Sequence, residues 1–333
     1  MEATRTVALV IPAHRAGPDL DACLGSVALL DPAPDEVVVV VDGGDAAVSS
    51  AVDRQLTGAS VIAIAPSGPA TARNRGARAS SSQVILFVDS DCTVQPDLVT
   101  RVRSAMSEPG RDALIGSYDD QPAAPGLVSR FRNLVHHRTH HLAAGRGHTF
   151  WGACGAIERV AFEAVGGFDE SYCDATIEDI ELGERLTSAG CRIDVVPTIQ
   201  ITHLKRWTLR SMIHTDFSKR GVPWTRLMLR SGSMSNDLNT TRKARITVGF
   251  AGVLVAALAA SVLAPSRARV SAAVAAGSAA AITWQDRDML GFLRQVRGLG
   301  FAARCVPLLW IHHVTAGAAF FWAVATWPLD RRR

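Results

Sequence analysis

The sequence predicts an α/β protein with a mostly parallel sheet and crossover helices, followed by C-terminal transmembrane helices. Three observations carry that expectation. Short valine- and isoleucine-rich runs without alternation recur in the first third of the chain, a helical period separates the first two of them, and charge-free stretches dominate after residue 240. Apolar runs of this kind read as strands covered on both faces, which a parallel sheet with helical crossovers provides.

Each run ends in a polar residue or a proline. Thr6 to Ile11 runs into Pro12 and His14, Glu36 to Val41 into Asp42, Ser60 to Ala65 into Pro66 and Ser67, and Gln83 to Val88 into Asp89-Ser90-Asp91. Between the first two, Leu20, Cys23, Leu24, Val27 and Leu30 repeat at the helical period, so a crossover helix follows the first strand. Gly43-Gly44-Asp45 reads as a tight turn after the second strand. Gly68 to Ala77 opens a helix whose small residues allow close packing and whose Arg73 could face a phosphate, or else form part of a solvated basic face. Ligands of parallel sheets bind outside the carboxyl ends of the strands. Two carboxylates one residue apart at such an end suit one hard divalent cation, and that cation can hold a diphosphate.

The chain of 333 residues is not uniform and divides near residue 240 into a mixed-charge part, 1–240, and a membrane region, 241–333. Ile246 to Ala264 is 19 residues without a charge, the span of a bilayer core at ~1.5 Å per residue. Cys305 to Leu329 is a second such stretch of 25 residues, with His312 and His313 inside it and Trp310, Trp322 and Trp327 as interface anchors. The alanine-rich Val270 to Trp284, 15 residues long, fits a span, a tilted insertion or an interfacial position equally. A multi-pass protein of the cell membrane is expected, with two spans or three. Arg242, Lys243 and Arg245 favour a cytoplasmic start, but Arg287, Arg294, Arg297, Arg304 and Arg331 to Arg333 cannot all be cytoplasmic if every segment spans.

The net charge of +4 comes largely from arginines flanking those segments, which suits anionic lipid headgroups. No nucleic-acid motif occurs, so no nucleic-acid partner is expected. Met1 to Arg5 leads into a strand with no long apolar core, so the chain reads as lacking a signal peptide and residues 1–240 as cytoplasmic. The six cysteines lack Cys-x-x-Cys spacing and read as reduced packing residues.

Val10-Ile11-Pro12-Ala13, Val40-Val41-Asp42-Gly43, Ala72-Arg73-Asn74-Arg75-Gly76, Asp89-Ser90-Asp91, Gly166-Gly167-Phe168-Asp169-Glu170 and Glu178-Asp179-Ile180-Glu181-Leu182 follow one another in this order. Together they resemble the family 2 glycosyltransferases of the GT-A fold, in their membrane-anchored bacterial form, over about residues 5 to 225. The chain departs from that family at Asp42-Gly43-Gly44-Asp45, where a second carboxylate often directly follows the first, and Asp45 receives no role. The resemblance implies sugar transfer from a nucleotide-diphosphate donor, assisted by Mg²⁺ or Mn²⁺. It places Asp91 and Asp89 at the metal and ribose, Asp42 at the nucleobase edge, Arg73 on the nucleotide side, and the backbone of Pro12 and Ala13 along the base pocket. Asp179 would be the general base that takes the acceptor hydroxyl's proton. It implies an inverting transfer; the reading adds a single sugar, UDP as the expected nucleotide and a lipid-linked or cell-envelope acceptor.

Other readings compete at several positions. Thr176-x-x-Asp179 also looks like a variant capping box, with Glu178, Asp179 and Glu181 at the positive end of a helix. His203 ends the apolar run Ile193 to Ile201 and sits where some enzymes of this fold place a metal-ligating histidine, although a plain strand-end histidine is the commoner case. His136, His137, His140, His141 and His148 with their neighbouring arginines read as a mobile surface loop facing phosphate or an anionic acceptor. Arg206 to Trp224 mixes basic and apolar residues, as an interfacial segment over about 205–230 would. The Gln-x-x-Arg-Trp signature of processive synthases is absent, which favours single additions. Two alternatives stand beside the transferase: a nucleotidyltransferase, disfavoured because Pro12-Ala13-His14-Arg15 is no glycine-rich phosphate loop, and a degenerate transferase acting as a membrane scaffold.

Overall fold

The four apolar runs fold as β1 (Val7–Ala13), β2 (Glu36–Asp42), β3 (Ser60–Ile64) and β4 (Val84–Val88), in a computed structural model that describes residues 5–232 and 241–330. They pair in parallel in the order β3-β2-β1-β4, and the crossovers are α1 (Pro18–Val27), α2 (Ala46–Gln55) and α3 (Pro69–Arg78). The domain boundary expected near residue 240 and the arginines 331–333 lie outside the described residues. Helix α3 can lie close to the sheet because a Cβ on Gly76 would come within 2.3 Å of Val10 Cγ1. Asp45, given no role above, caps α2 by accepting from the Ala47 N–H at 2.9 Å.

The chain then adds β5 (Cys92–Val94), α4 (Leu98–Met106), β6 (Ala113–Tyr118), α5 (Leu127–Leu142), β7 (Gly145–Gly147), β8 (Cys154–Glu158), α6 (Arg159–Ala164), α7 (Glu178–Ser188) and β9 (Ile193–His203). The expected α/β fold is present. Beyond β4 the sheet turns mixed, with β8 antiparallel to both β4 and β6, β9 parallel to β6, and β5 and β7 antiparallel to β9. Cys92 pairs directly with His203, so the chain just after Asp91 is tied to the end of β9.

Two compact units emerge: residues 1–124 with 139–206, which hold the sheet, and residues 125–138 with 207–333. Most of the histidine-rich stretch expected as a mobile loop, His136 to His141, lies instead on helix α5, with His137 and His140 buried, and His148 follows β7. Its apolar residues Leu127, Phe131, Leu134 and Val135 recur at the helical period, and charge-based reading overlooked them.

The second unit continues through α8 (Leu209–His214), a π-helical turn at Thr215–Gly221, and α9 (Val222–Ser231). After the undescribed residues come α10 (Arg242–Leu263), α11 (Ala268–Gln285), α12 (Arg287–Arg297) and α13 (Leu299–Asp330). Among the described residues, two helical segments are long and apolar enough to cross a membrane, Arg242–Leu263 and Leu299–Trp327. Helix α11 packs on α10 through Ala251, Leu254, Ala257, Ala275 and Ile282. Phe131, Leu134, Met212, Leu293 and Cys305 form a second apolar cluster in this unit.

Next to that cluster, Asp216 is buried with Arg132 Nη2 at 2.5 Å and His312 Nδ1 at 3.1 Å. Burial alone would raise this carboxyl, but Arg132, His312 and Arg220 outweigh it and hold its pKa down at about 2. A depressed carboxylate stabilises the fold at pH values above its unfolded pKa of ~4, and the contribution disappears as pH falls through the folded value. Asp216→Asn should therefore cost roughly 3–5 kcal/mol at neutral pH, because the buried Arg132 loses its ion pair with this carboxylate. Thermal melts from pH 5 downward should show the gap to wild type narrowing by ~2 kcal/mol once wild-type Asp216 protonates as well. A gap that stays constant over that range would mean that the ion pair is not what holds this corner together.

Candidate active site

Parallel strands end on one edge, and the sheet brings most of the expected residues there. Register pairs Pro12 with Val40 and Ala13 with Val41, so Asp42 follows directly at the same level, while Asp89 leaves the end of β4 beside β1. Pro12 is half-buried and Ala13 buried. Both oxygens of Asp42 are engaged, accepting from the Ser67 N–H at 2.7 Å and the Gly68 N–H at 2.9 Å. Asp42 thus anchors the loop that enters α3 and stays half-exposed.

Arg73, on α3, is 4% exposed rather than solvated. Its Nη2 donates to Asp89 Oδ1 at 2.7 Å and its Nη1 to Glu178 Oε1 at 3.0 Å. The guanidinium lies 5.4 Å from the ring centroid of Phe168. Burial would lower its pKa, but the carboxylates of Asp89, Glu178 and Asp179 more than offset this and raise it, so the charge is permanent. A Cβ on Gly152 would stand 2.8 Å from Arg73 Cζ, so only glycine lets this backbone lie against the guanidinium. The Gly152 N–H donates to Asp179 Oδ2 at 3.2 Å.

Asp179 sits in the first turn of α7, half-exposed, and its Oδ1 also accepts from the Ile180 N–H at 2.8 Å. The capping box read at Thr176-x-x-Asp179 is not formed. Ile177 occupies the N-cap without a side-chain bond, because Glu178 reaches back to take the Thr176 N–H at 2.8 Å while its other oxygen holds Arg73. Asp89 and Asp179 are therefore held through Arg73, Glu178 and Gly152.

On the other side, His203 Nε2 lies 3.4 Å from Asp91 Oδ2. Donor atoms of Asp91, Cys92 and His203 all fall within 4.8 Å of one another. Burial beside the carboxylates raises the Cys92 thiol well above its usual range, so it stays protonated and is a poor ligand. For Asp91, burial acts upward, but His203, Lys205 and Cys92 prevail and lower its pKa, so it stays ionised. A carboxylate and an imidazole this close can ligate one divalent cation, and the carboxylate oxygens are the ligands that suit Mg²⁺ or Mn²⁺. Asp89, expected as a co-ligand, lies outside this donor cluster and is paired with Arg73.

Sequence reasoning missed the aromatic residues behind these groups. The His203 ring stacks on Tyr118 at 4.5 Å and 5°, and Tyr118 meets Trp151 edge-on at 4.9 Å. His140 meets Trp151 at 5.0 Å and its Nδ1 lies 2.7 Å from the Gly116 carbonyl oxygen. Trp151 is thus wedged among rings immediately before Gly152. The Gly166 to Glu170 motif is architectural: Asn74 holds both the N–H and the carbonyl of Phe168, at 2.9 and 2.8 Å, and also donates to Glu170 at 2.9 Å.

With this geometry in hand, comparisons with known proteins place the chain. Residues 8–166 match the family model Glycosyl transferase family 2, and residues 133–208 match N-terminal domain of galactosyltransferase. An N-acetylglucosaminyl-diphospho-decaprenol L-rhamnosyltransferase of Mycobacterium tuberculosis is 44% identical over 54 residues, 16% of this chain and 17% of that protein. Validoxylamine A glucosyltransferase of Streptomyces hygroscopicus subsp. limoneus is 28% identical over 223 residues, 57% of this chain and 49% of that protein. The chain spans less than half the length of these curated relatives. The mannosyltransferase PcManGT from Pyrobaculum calidifontis, solved in complex with GDP-Man and Mn²⁺, shares the fold with a TM-score of 0.61 at 16% identity, covering 96% of this chain and 88% of that one.

Buried and exposed ion pairs around this site should respond differently to mutation. Arg73→Met leaves Asp89 and Glu178 without their cation and should cost about 3–5 kcal/mol. Arg78→Met removes an exposed pair with Glu170 and should cost less than about 1 kcal/mol. Thermal unfolding of the two variants side by side checks this, and equal small losses would show that Arg73 does not organise the site.

Proposed function

Because the chain carries a family 2 glycosyltransferase domain, we propose that it is an inverting, divalent-metal-dependent glycosyltransferase. In this reading it moves one sugar from a nucleotide-diphosphate donor, UDP-linked, to a lipid-associated acceptor at the cytoplasmic face of the cell membrane. One observation carries the proposal: Arg73 holds Asp89 and Glu178 by hydrogen bonds, and the Gly152 backbone packed against it holds Asp179, on the sheet edge where the Asp91–His203 pair also lies.

In this reading the nucleotide lies across the ends of β1 and β2, along Pro12 and Ala13, with Asp42 at the base edge. Asp91 and His203 would hold the cation, and Asp89 would face the ribose and diphosphate. A cation bound there would neutralise the charge that develops on the departing diphosphate. A nucleotide-sugar donor and a divalent cation are in keeping with the solved protein of the same fold, which is in complex with GDP-Man and Mn²⁺. Arg73 works one layer behind, fixing the carboxylates without meeting the donor.

Asp179 then takes the proton from the acceptor hydroxyl as its oxygen bonds to the anomeric carbon and the carbon–oxygen bond to the diphosphate breaks. Attack from the face opposite the leaving group inverts the anomeric centre. The Gly152 and Ile180 N–H groups each donate to one oxygen of Asp179 and so fix the turn of its carboxylate.

Membrane attachment is supported by the two long apolar helices and by side chains such as Val262, Leu263, Phe321 and Trp322, which are more than half exposed and would be poorly covered by water. The α8 to α9 stretch, with Leu209 and Ile213 exposed beside arginines, suits the membrane interface. A lipid-linked acceptor is in keeping with the decaprenol-linked substrate named for the mycobacterial relative.

Two variants test the assignment. Asp91→Asn should abolish both transfer and the metal-dependent thermal stabilisation given by UDP-sugars; transfer that runs at the wild-type rate in EDTA would sink the metal assignment. Asp179→Asn should lower the transfer rate by roughly 10²-fold or more with donor affinity nearly unchanged. A folded Asp179→Asn enzyme within about threefold of wild type, ~0.65 kcal/mol in barrier, would remove Asp179 from the role of base.

A further inference from the structure

The second unit holds an open groove of about 820 Å³ whose lining includes three alanines of α11, two alanines of α13, and Trp284 and Trp310. Nothing in the proposed transfer reaction uses it. One side of the groove is different in kind: Arg287 and Arg294 line it from α12, with Leu290 and Gly291 between them. Seven residues are nearly two full turns, so both arginines lie on one stripe of the helix, about 10 Å apart along its axis.

The charge of Arg287 is only partly engaged, and that of Arg294 meets no carboxylate among the described residues. Arg287 donates to the Trp284 carbonyl at 3.1 Å, lies 5.0 Å from the Trp284 ring centroid, and is 3.9 Å from Asp288, which itself pairs with Lys243 at 3.1 Å. Among the described residues no carboxylate pairs with Arg294, and it is exposed. The indole of Trp310 is satisfied by Thr283 at 3.1 Å. The groove therefore offers an apolar floor with a cationic rim on one side. A molecule with a net negative phosphate headgroup and a hydrocarbon chain matches both halves, whereas water matches only the rim and a lipid without net charge chiefly the floor.

We infer that this groove is a specific site for an anionic membrane phospholipid, with its phosphate at Arg287 and Arg294 and one acyl chain along the alanine wall. The inference rests on the membrane reading above and adds a defined lipid to it.

The test uses the full chain, purified in detergent and stripped of lipid, with the thermal unfolding midpoint followed as ligand is added. Phosphatidylglycerol should raise the midpoint saturably, and phosphatidylcholine should do so only at much higher concentration. Arg287→Gln and Arg294→Gln should each shift the half-saturating concentration about fivefold, and the pair together about 25-fold. Ala280→Trp, which fills the groove and leaves both arginines, should remove the response. If that variant fails to fold, the two arginine variants still decide the matter. Equal responses to phosphatidylglycerol and phosphatidylcholine, or variants that titrate like wild type, would overturn the site. Inorganic phosphate giving the same shift would reduce it to an anion site, and a polyprenyl phosphate that saturates at lower concentration would assign the groove to an acceptor lipid instead. Flotation with pure phosphatidylcholine vesicles separates the two levels: failure to insert overturns the membrane reading and this site with it, while normal insertion with unresponsive variants overturns the site alone.

Discussion

A single buried guanidinium organises the sheet edge. Arg73 is removed from water together with Glu178, each side chain 5% exposed, while its other partner, Asp89, keeps 32% of its side chain exposed. Such burial is costly unless every charge is matched, and here one cation meets two carboxylates with a third nearby. The surplus negative charge is left on the groups that face solvent, where a cationic ligand could meet it. Removing the arginine would reverse that balance and leave two carboxylates repelling each other through a weakly polarisable interior.

The surroundings of Arg73 are built to keep it in place. Phe168 lies under the guanidinium and packs edge-on against Phe87 at 5.3 Å and against Phe150 at 6.2 Å. Asn74, the next residue, clamps the backbone of Phe168, so one turn of α3 fixes both the cation and the ring beneath it. Gly152 closes the other side. Its missing side chain is a packing requirement, and its N–H reaches Asp179, so the geometry of the carboxylate depends on a residue with no functional group of its own.

Much of this was legible in the sequence, and the division follows range of interaction. The parallel strands β1 to β4 and their polar carboxyl ends are local patterns, and apolar runs ending in Asp42 and Asp89 are visible one window at a time. Arg73 was legible as a charge at a helix start, but its partner Glu178 is 105 residues away, and nothing in either segment announces the pair. The same holds for the stack of His203 on Tyr118 and the edge contact of Trp151, which join three distant strands and loops. Local charge was misleading at α5, where histidines and arginines suggested a loop while Phe131 and Leu134 kept the helical period. It was misleading again at Thr176, where a three-residue spacing suggested a cap, but the glutamate between was already committed to a distant arginine and a nearby N–H.

The second unit uses the same device to a different end. Arg132 and His312 enclose Asp216 as Arg73 encloses Asp89, but Asp216 keeps only 7% of its side chain exposed, against 32% for Asp89. That difference decides what each pair can do. A carboxylate sealed on all sides can only specify how its neighbouring helices pack, since a polar group buried among apolar side chains tolerates few alternative arrangements. A carboxylate held from behind and open in front keeps a fixed position and can still bind. The sheet edge therefore combines rigidity with access because Arg73 approaches Asp89 from the protein side alone, and the open face is the one that the ends of β1, β2 and β4 share.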